Sequence, residues 1–511
     1  MDSAEPYNVV VGLQDNGVLR GPSTYVPGKT AREAWKAVYG GDGSFIQIDP
    51  KDPNVIYTAS QFGHASRLNL KTGERTRIRP RHALGEPPLR YNWVTPFLLS
   101  PHSRNVLWFG TQKLYRSLDR GETWAAVSPD LTSSREPGDV PFGTITTIAE
   151  SPKTFGVLWV GTDEGKVWGT RDGGATWKDL SKGLAKDRWV TRVVASVHDD
   201  GTVYVAQSGY RNDDFASYLW KSADFGATWT SIAAGLPAEP VNSVREDPKA
   251  KHLLYAATDS GAFVSLDRGA TWSVLAAGLP HVPVHDLAVQ PKEGDLVLGT
   301  HGRSVFVAEA APLRELTPEV QKETLHAFKV KAATWERRRG YGENEFYAFY
   351  RVPMTRSIAW WAGAAAAGTA KITVKDAKGR SWKEWTAPSA AGLNAVDYDL
   401  SADPALADAN EEALRKEAAE AAAEEKEKKS EKGDAAKAAA GAGADDESEE
   451  GGSKATPPEV ADLLADPLRK TRPRYLPPGR YTVEVAVGGE RAATRLAVKA
   501  PKKEEAEPEE D

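Results

Sequence analysis

Cysteine is absent from the 511 residues. Without a thiol there is no disulfide, no thiolate nucleophile and no cysteine-ligated metal. Histidine is sparse: the nine residues are scattered, with neither HisXxxXxxXxxHis nor HisGluXxxXxxHis spacing, so no metal site is expected. No apolar run approaches a membrane span; residues 362–367 are too few and are flanked by glycine. The repeats lack a basic block and the formal net charge is −6, which argues against a nucleic-acid partner. The opening MDSAEPYNVVV has no positive n-region and no apolar h-region. That says nothing about secretion if the chain is the downstream part of a larger protein. Walker loop, dinucleotide fingerprint and GlyXxxSerXxxGly elbow are also missing, and no cofactor is expected.

Repetition is what the sequence does contain. The pattern SerXxxAspXxxGlyXxxThrTrp runs through Ser117, Asp119, Gly121, Thr123 and Trp124, then recurs, with Thr170 for Ser, at Asp172, Gly174, Thr176 and Trp177. It returns at Ser222, Asp224, Gly226, Thr228 and Trp229, and at Ser265, Asp267, Gly269, Thr271 and Trp272. Successive Asp residues lie 53, 52 and 43 apart, the period of a repeat array. A second repeat runs in phase: IQIDPKDPNVIY, FLLSPHSRNVLW, IAESPKTFGVLW, VVASVHDDGTVY, VREDPKAKHLLY and LAVQPKEGDLVL. Pro50, Pro101, Pro152, Pro248 and Pro291 mark its turn, with Val197 in the fourth copy. Tyr57, Trp108, Trp159, Tyr204, Tyr255 and Leu298 follow seven residues later.

Runs rich in Val, Leu, Ile and aromatics, broken by Pro, Gly and Asp turns, are strand signals, and about four strands per repeat is the size of a propeller blade. VVVGLQDNGVLR aligns with VLWVGTDEGKVW, so residues 9–20 read as the second and third strands of a blade whose innermost strand is absent. Either an upstream propeller segment of a longer parent protein supplies that strand, or the last unit near Val305 closes the ring against it. The expected fold is all-β: a β-propeller of about seven blades, the first incomplete, over residues 1–313.

A linker follows over 314–345, with a short helix in TPEVQKETLHAF that has Thr317 as N-cap and Pro318 at its first position. Residues 346–400 and 472–500 read as one small antiparallel Ig-like β-sandwich, with hairpin turns at Lys378–Gly379 and Gly488–Gly489. Between them, 401–471 is a charged, low-complexity insertion rich in Ala, Glu and Lys that cannot bury a core, a solvated helix fading into disorder. Residues 501–511 form an acidic tail.

Asp followed two residues later by Gly suits a tight turn, the carboxylate accepting from backbone N–H groups and Gly taking a positive φ. A catalytic carboxylate is needed once or twice and a folding device in every repeat, so Asp119, Asp172, Asp224 and Asp267 are read as structural. Trp124, Trp177, Trp229 and Trp272 are read as filling the gaps between repeats.

The repeat is similar to the Asp-box, or bacterial neuraminidase repeat, of sialidases, sortilin-type receptors and two-propeller xyloglucan hydrolases. With GLQDNG, GGDG, YNWVTP, YRNDDF, VREDP, GTHGRS and the late PPGRYTVEV, the chain resembles a bacterial group of large secreted proteins described as sortilin-like or glycosyl-hydrolase-like. The resemblance implies a secreted or periplasmic location. Two departures stand out: the cysteine-rich module of sortilin receptors is absent, and no three arginines form a sialidase carboxylate clamp.

In an antiparallel blade, the loop into the first strand and the loop between the second and third share one face, and the tetrads lie on the other. The first face receives Asp15, Asn16, Asp42, His64, Asn92, Trp93, Asp163, Glu164, Arg188, Trp189, Asn242, Asp259, His285, Asp286, His301 and Arg303. It also receives the long loop YRNDDF, with Arg211, Asp213 and Asp214. A long polar loop on a rigid scaffold is a common place for function; the alternative is an internally satisfied loop with Arg211 paired to a carboxylate. Asp42 either meets a ligand or ends a blade, and His285, His301 and Arg303 either line the channel mouth or serve structural hydrogen bonds.

Two functions compete. The favoured one is a sortilin-like scaffold that binds a peptide, protein or glycan through Trp93, Trp189, Arg211, His285, His301 and Arg303. The other is an inverting glycoside hydrolase acting on a polysaccharide, with Asp15, Asp42, Asp213 and Asp214 as candidate carboxylates and Trp93 and Trp189 as sugar platforms.

Overall fold

The computed structural model describes residues 1–24, 30–133, 142–275, 278–334, 355–417, 419–420 and 474–500. Most of the low-complexity insertion, the acidic tail and residues 335–354 lie outside these. The chain divides into two compact units, Met1–Arg314 and Glu315–Asp511.

The first unit is a succession of antiparallel sheets, each a meander of neighbours in sequence. The first holds β1 (Asn8–Leu13), β2 (Gly17–Pro22) and β3 (Lys36–Tyr39). The second holds β4 (Ile46–Ile48), β5 (Val55–Ser60), β6 (His64–Asn69) and β7 (Arg75–Arg77). The third holds β8 (Phe97–Leu99), β9 (Leu107–Gly110), β10 (Leu114–Ser117) and β11 (Ala125–Ala126). The fourth holds β12 (Ile145–Glu150), β13 (Leu158–Thr162), β14 (Val167–Thr170) and β15 (Lys178–Asp179). The fifth holds β16 (Trp189–Ala195), β17 (Val203–Gly209), β18 (Asp214–Ser222) and β19 (Thr230–Ser231). The sixth holds β20 (Val241–Glu246), β21 (Leu254–Thr258), β22 (Gly261–Ser265) and β23 (Ser273–Val274). The seventh holds β24 (Val284–Val289), β25 (Asp295–Thr300) and β26 (Val305–Glu309).

The expectation of a β-propeller closed on itself is corrected here. Among the described residues no ladder joins one sheet to the next, and β24–β26 do not pair with β1–β3. The first and last sheets meet through side chains: Tyr7, Val9 and Val297 form a small core with Val305 against it, and the Tyr7 hydroxyl donates to Asp295 at 3.0 Å. The physical reason is that the repeats specify hairpins, which are local, while ring closure is a non-local pairing that no repeat encodes.

Each tetrad forms a closed turn between the third and fourth strands. Ser222 Oγ donates to Asp224 Oδ1 at 2.7 Å and accepts from Gly226 N at 2.8 Å, while Thr228 N donates to Asp224 at 2.9 Å. Gly226 has φ 90 and lies so close to Leu180 of the preceding sheet that a Cβ would come within 2.7 Å of it. The Trp229 indole then donates to the Leu180 carbonyl at 2.7 Å. Trp177 and Trp272 do the same to Val127 and Ile232. The in-phase turn is held by the residue before its Pro or Val: Ser151 Oγ accepts from Lys153 and Thr154 N–H, and Asp247 from Lys249 and Ala250.

The buried aromatics of the second strands tie sheet to sheet. Trp108 on β9 donates to Glu150 on β12 at 2.9 Å, and Tyr204 on β17 to Glu246 on β20 at 3.0 Å.

In the second unit one sheet is β27 (Leu325–Ala327), β29 (Arg356–Ala362) and β32 (Gly392–Tyr398). The other contains β28 (Ala333–Thr334), β30 (Gly368–Asp376), β31 (Ser381–Ser389), β33 (Gly479–Val487) and β34 (Glu490–Lys499). Both sheets contribute to one core around Ile358, Trp360, Ile372, Trp382, Val483 and Leu496. A purely antiparallel sandwich is corrected by β28, which runs parallel to β34. The stretch read as a linker helix holds a 3₁₀ turn, Val320–Lys322, and then β27. Thr317 still accepts from Val320 N at 3.4 Å. The helix at 404–417 is anchored by Arg474 to Asp408 at 2.6 Å and Arg380 to Glu417 at 3.0 Å. No described helix is long and apolar enough to cross a membrane.

Candidate functional site

The turn β1–β2 places Asp15 in the left-handed region, φ 64. Its backbone N–H donates to Asp42 Oδ1 at 2.9 Å. Asp42 lies in the loop into β4, between Gly41 (φ 84) and Gly43. Gly43 packs so tightly on Gly12 that a Cβ there would come within 2.7 Å of the Gly12 Cα, so a bare backbone is needed to bring the two loops together. Asp42 N–H in turn donates to Gln61 Oε1 at 2.9 Å. Phe62, beside Gln61, has φ 55 and donates its N–H to the Trp93 carbonyl at 3.1 Å. The Phe62 ring meets the Trp93 ring edge-on, centroids 5.1 Å apart, and both stay open to solvent, 38% and 42% exposed. The Asp15 and Asp42 loops are thus linked through Gln61 to the loop that carries the open Phe62–Trp93 corner.

A second cluster sits on the β17–β18 hairpin, whose tip is a 3₁₀ turn, Tyr210–Asn212. Asp214 accepts from Arg188 at 2.7 Å, from the Tyr218 hydroxyl at 2.7 Å and from Ala216 N at 3.0 Å. The Tyr218 hydroxyl, then Ala216 N and Arg188, hold its carboxyl down at about 2. Asp214 is thus a fixed anion that buttresses the hairpin. Arg211 lies over the Trp189 ring, 4.2 Å from its centroid, rather than pairing with a carboxylate, and covers the face that a sugar would need. Asp213, φ 53, is exposed at the tip.

A third cluster brings His285 and His301 together, ring centroids 4.9 Å apart. Partial desolvation, then the His301 charge, lowers the His285 pKa below the ordinary imidazole value. Beside it, Asp286 is shared by Arg192 at 2.8 Å and Arg245 at 3.3 Å. Burial, then the Arg192 charge, lowers the Arg245 guanidinium to about 10, against the pull of Asp286. Arg303 is exposed on the loop that carries His301. Among the described residues no group of three or more His, Asp or Glu is placed to hold a metal ion.

In the four sheets that carry a tetrad, the candidates and the tetrad turns lie at opposite strand ends. The tetrad turns bond to the turns between first and second strands, as in Gly173 N to Gly156 O and Phe225 N to Gly201 O. Asp163, by contrast, accepts from Phe142 and Thr144 in the loop leading into β12.

Sequence reasoning missed Gln61 and Phe62, which link Asp42 to Trp93, and a repeated bulge on the first strands. The ladders skip Thr146, Thr191, Asn242 and His285. Three of these donate to the next sheet: Thr146 to Val190 O at 2.7 Å, Thr191 to Val241 O at 2.8 Å and Asn242 to Val284 O at 3.1 Å. The signal was a residue following Ile or Val at a fixed place in each repeat, obscured because Thr, Asn and His differ in type.

No family model matches the chain. A probable oligoxyloglucan-reducing end-specific xyloglucanase of Neosartorya fischeri is 30% identical over 146 residues, 26% of this chain and 17% of that protein. The match therefore spans less than a fifth of the relative's length. Among solved structures, the GH74 xyloglucanase of Xanthomonas campestris gives a TM-score of 0.46 at 19% identity, covering 69% of this chain and 56% of that one. An ancestral GH74 enzyme gives 0.39 at 14% identity, covering 68% and 38%. These two superpositions are too loose to carry an argument. The Asp-box, sortilin-like resemblance is corrected by the sequence match, whose partner is a xyloglucanase, and the scaffold reading that leaned on it is withdrawn.

Proposed function

We propose that this chain is a glycoside hydrolase acting on a polysaccharide of the xyloglucan class. Asp15 and Asp42 are its paired carboxyls, and Phe62 and Trp93 are the surface on which the sugar chain rests. The observation that supports the reading is the 2.9 Å bond from the Asp15 backbone N–H to the Asp42 carboxylate, which joins the two acid-bearing loops. Glycoside hydrolysis uses such a pair flanking the scissile bond.

In the inverting form, one carboxyl gives its proton to the leaving oxygen while the other takes a proton from water attacking the opposite face of the sugar. Asp42, held by Asp15 N–H and through its own N–H to Gln61, suits the fixed base. Asp15, exposed at the tip of its turn, suits the acid that meets the leaving group. The 30% identity to a xyloglucanase supports the substrate class. A polymeric substrate of this kind suits a secreted or periplasmic enzyme.

The test is release of new reducing ends from xyloglucan, compared with unsubstituted β-glucans and with starch. Release from xyloglucan with the opposite anomeric configuration in the first product supports the proposal. No release from any of the polymers by a folded protein rejects it.

A further inference from the structure

The fourth strand of the second sheet differs in charge from its counterparts. β7 and the residues after it read RTRIRPRH over 75–82, four arginines and a histidine with no acid among them, in a chain whose formal net charge is −6. The other fourth strands, β11, β15, β19 and β23, read AA, KD, TS and SV.

The ladder puts these arginines on one side. Ser66 pairs with Arg77 and Leu68 with Arg75, so the period of two turns Arg75 and Arg77 to the face of Ser66, while Ile78 enters the core. Arg75 donates to Ser66 Oγ at 3.2 Å and to the Tyr39 hydroxyl at 2.8 Å. Arg79 lies over the Tyr91 ring, 3.8 Å from its centroid, and 3.5 Å from His64 Nδ1. Burial raises the Tyr91 pKa above its ordinary value while the Arg79 and Arg81 charges pull it down, which sets Arg81 in the same cluster. Stacking on a ring fixes a guanidinium without cancelling its charge, so the fork stays ready for a planar anion.

No acid neutralises the cluster. Other arginines of this unit take a carboxylate, as Arg67 does Glu122, Arg90 Asp130 and Arg188 Asp214. Among the described residues Arg75, Arg77, Arg79 and Arg81 have no such partner, and the Arg79 Nε is buried with no acceptor. Partial desolvation, then the Arg79 and Arg77 charges, lowers the His64 pKa below the ordinary imidazole value, the mark of uncompensated positive charge.

The cluster adjoins the aromatic corner described above. His64 directly follows the Gln61–Gly63 turn, which bonds Asp42 N–H and the Trp93 carbonyl, and Tyr91 stands two residues before Trp93. The loops that carry the open Phe62 and Trp93 rings therefore also carry His64 and Tyr91, the groups against which Arg79 rests.

We propose that Arg77, Arg79 and Arg81 form a binding site for a carboxylate on a glycan, a uronic acid unit in a side chain of the polysaccharide whose backbone meets Phe62 and Trp93. The choice of a glycan over another anion rests on the hydrolase reading of that corner. An arginine fork suits the group because two N–H donors meet its two oxygens.

The test compares two forms of one xyloglucan oligosaccharide, unmodified and with its side-chain galactose oxidised at C6 to the carboxylate, by titration calorimetry on the full chain. The oxidised form is expected to bind about tenfold or more tighter at low salt, the worth of one charge-assisted hydrogen bond, and the preference is expected to shrink in about 0.5 M salt. Arg79→Gln is expected to abolish the preference. Arg77→Gln combined with Arg81→Gln, both exposed, spares the packing on Tyr91 and is expected to cut the preference to about threefold or less. Equal binding of the two forms by the unaltered chain, or a preference that survives in both variants, overturns this inference and leaves the hydrolase reading standing. Binding of neither form also overturns it, and reducing-end release from the neutral polymer then decides the hydrolase reading separately. A single-stranded oligonucleotide that binds tighter than the oxidised oligosaccharide, and loses that binding in the same variants, assigns the cluster to a different polyanion and overturns the proposal.

Discussion

Thr191 on β16 donates its hydroxyl to the carbonyl of Val241 on β20, 2.8 Å away. Neighbouring sheets are thus joined by side chain to backbone bonds at a bulge, with no shared ladder. Thr191→Val keeps the shape and removes the donor. It should lower the stability of the first unit by about 1 kcal/mol, read as a lower urea midpoint with unchanged slope. An unchanged midpoint would show that the Val241 carbonyl finds water instead.

Trp108 and Glu150 make the corresponding contact deeper in the unit. The indole is fully buried and donates at 2.9 Å, and the other carboxylate oxygen takes Gly156 N–H at 3.1 Å. Trp108→Phe leaves a buried carboxylate short of one donor, which should cost about 1–3 kcal/mol. Adding Glu150→Gln to the Phe variant should recover part of the loss, since a neutral amide is cheaper to leave half-satisfied than a charge.

Acid should act through the tetrad turns. The Thr176 hydroxyl, then its N–H and Thr170, hold Asp172 at about 2, and the Thr228 hydroxyl, Ser222 and Thr228 N–H hold Asp224 at about 2. A carboxyl with a depressed folded pKa contributes stability that is present above its unfolded pKa, about 3.9, and is lost as pH falls through the folded one. The thermal midpoint of the first unit should therefore drop between about pH 4 and pH 2. The double variant Asp172→Asn, Asp224→Asn should start lower and depend less on pH across that window.

The two tryptophans proposed from the sequence as sugar platforms should separate in kinetics. Trp93 is open, while Trp189 lies under Arg211. Trp93→Ala should raise KM for the polymer by about tenfold, as loss of an aromatic anchor does. Trp189→Ala should change KM less and lower the thermal midpoint instead.

The repeats made the hairpins and turns legible, because an Asp caps N–H groups four residues on and a Gly takes positive φ within a single turn. Trp177, Trp229 and Trp272 were legible for the same reason, each reaching one repeat back. How the first and last sheets meet was not legible: the repeats pointed to a closed ring, whereas among the described residues no ladder joins the two sheets and they meet through side-chain contacts such as Tyr7 with Asp295, nearly the whole first unit apart in sequence. The partner of Arg211 was also missed: sequence suggests a carboxylate for any Arg beside two Asp residues, but Arg188 had already taken Asp214. Asp15 and Asp42 were separate candidates in the sequence. Their adjacency depends on Gly12 and Gly43 packing backbone to backbone, which spacing alone does not reveal.

The most direct test is the rate of reducing-end release from xyloglucan by Asp15→Asn and Asp42→Asn, each matched to the unaltered protein in thermal midpoint. The account predicts that both lose about 100-fold or more in kcat, while Asp213→Asn and Asp214→Asn keep kcat within about tenfold of the original. Full activity in Asp42→Asn, or a greater loss in Asp213→Asn than in Asp15→Asn, would contradict it.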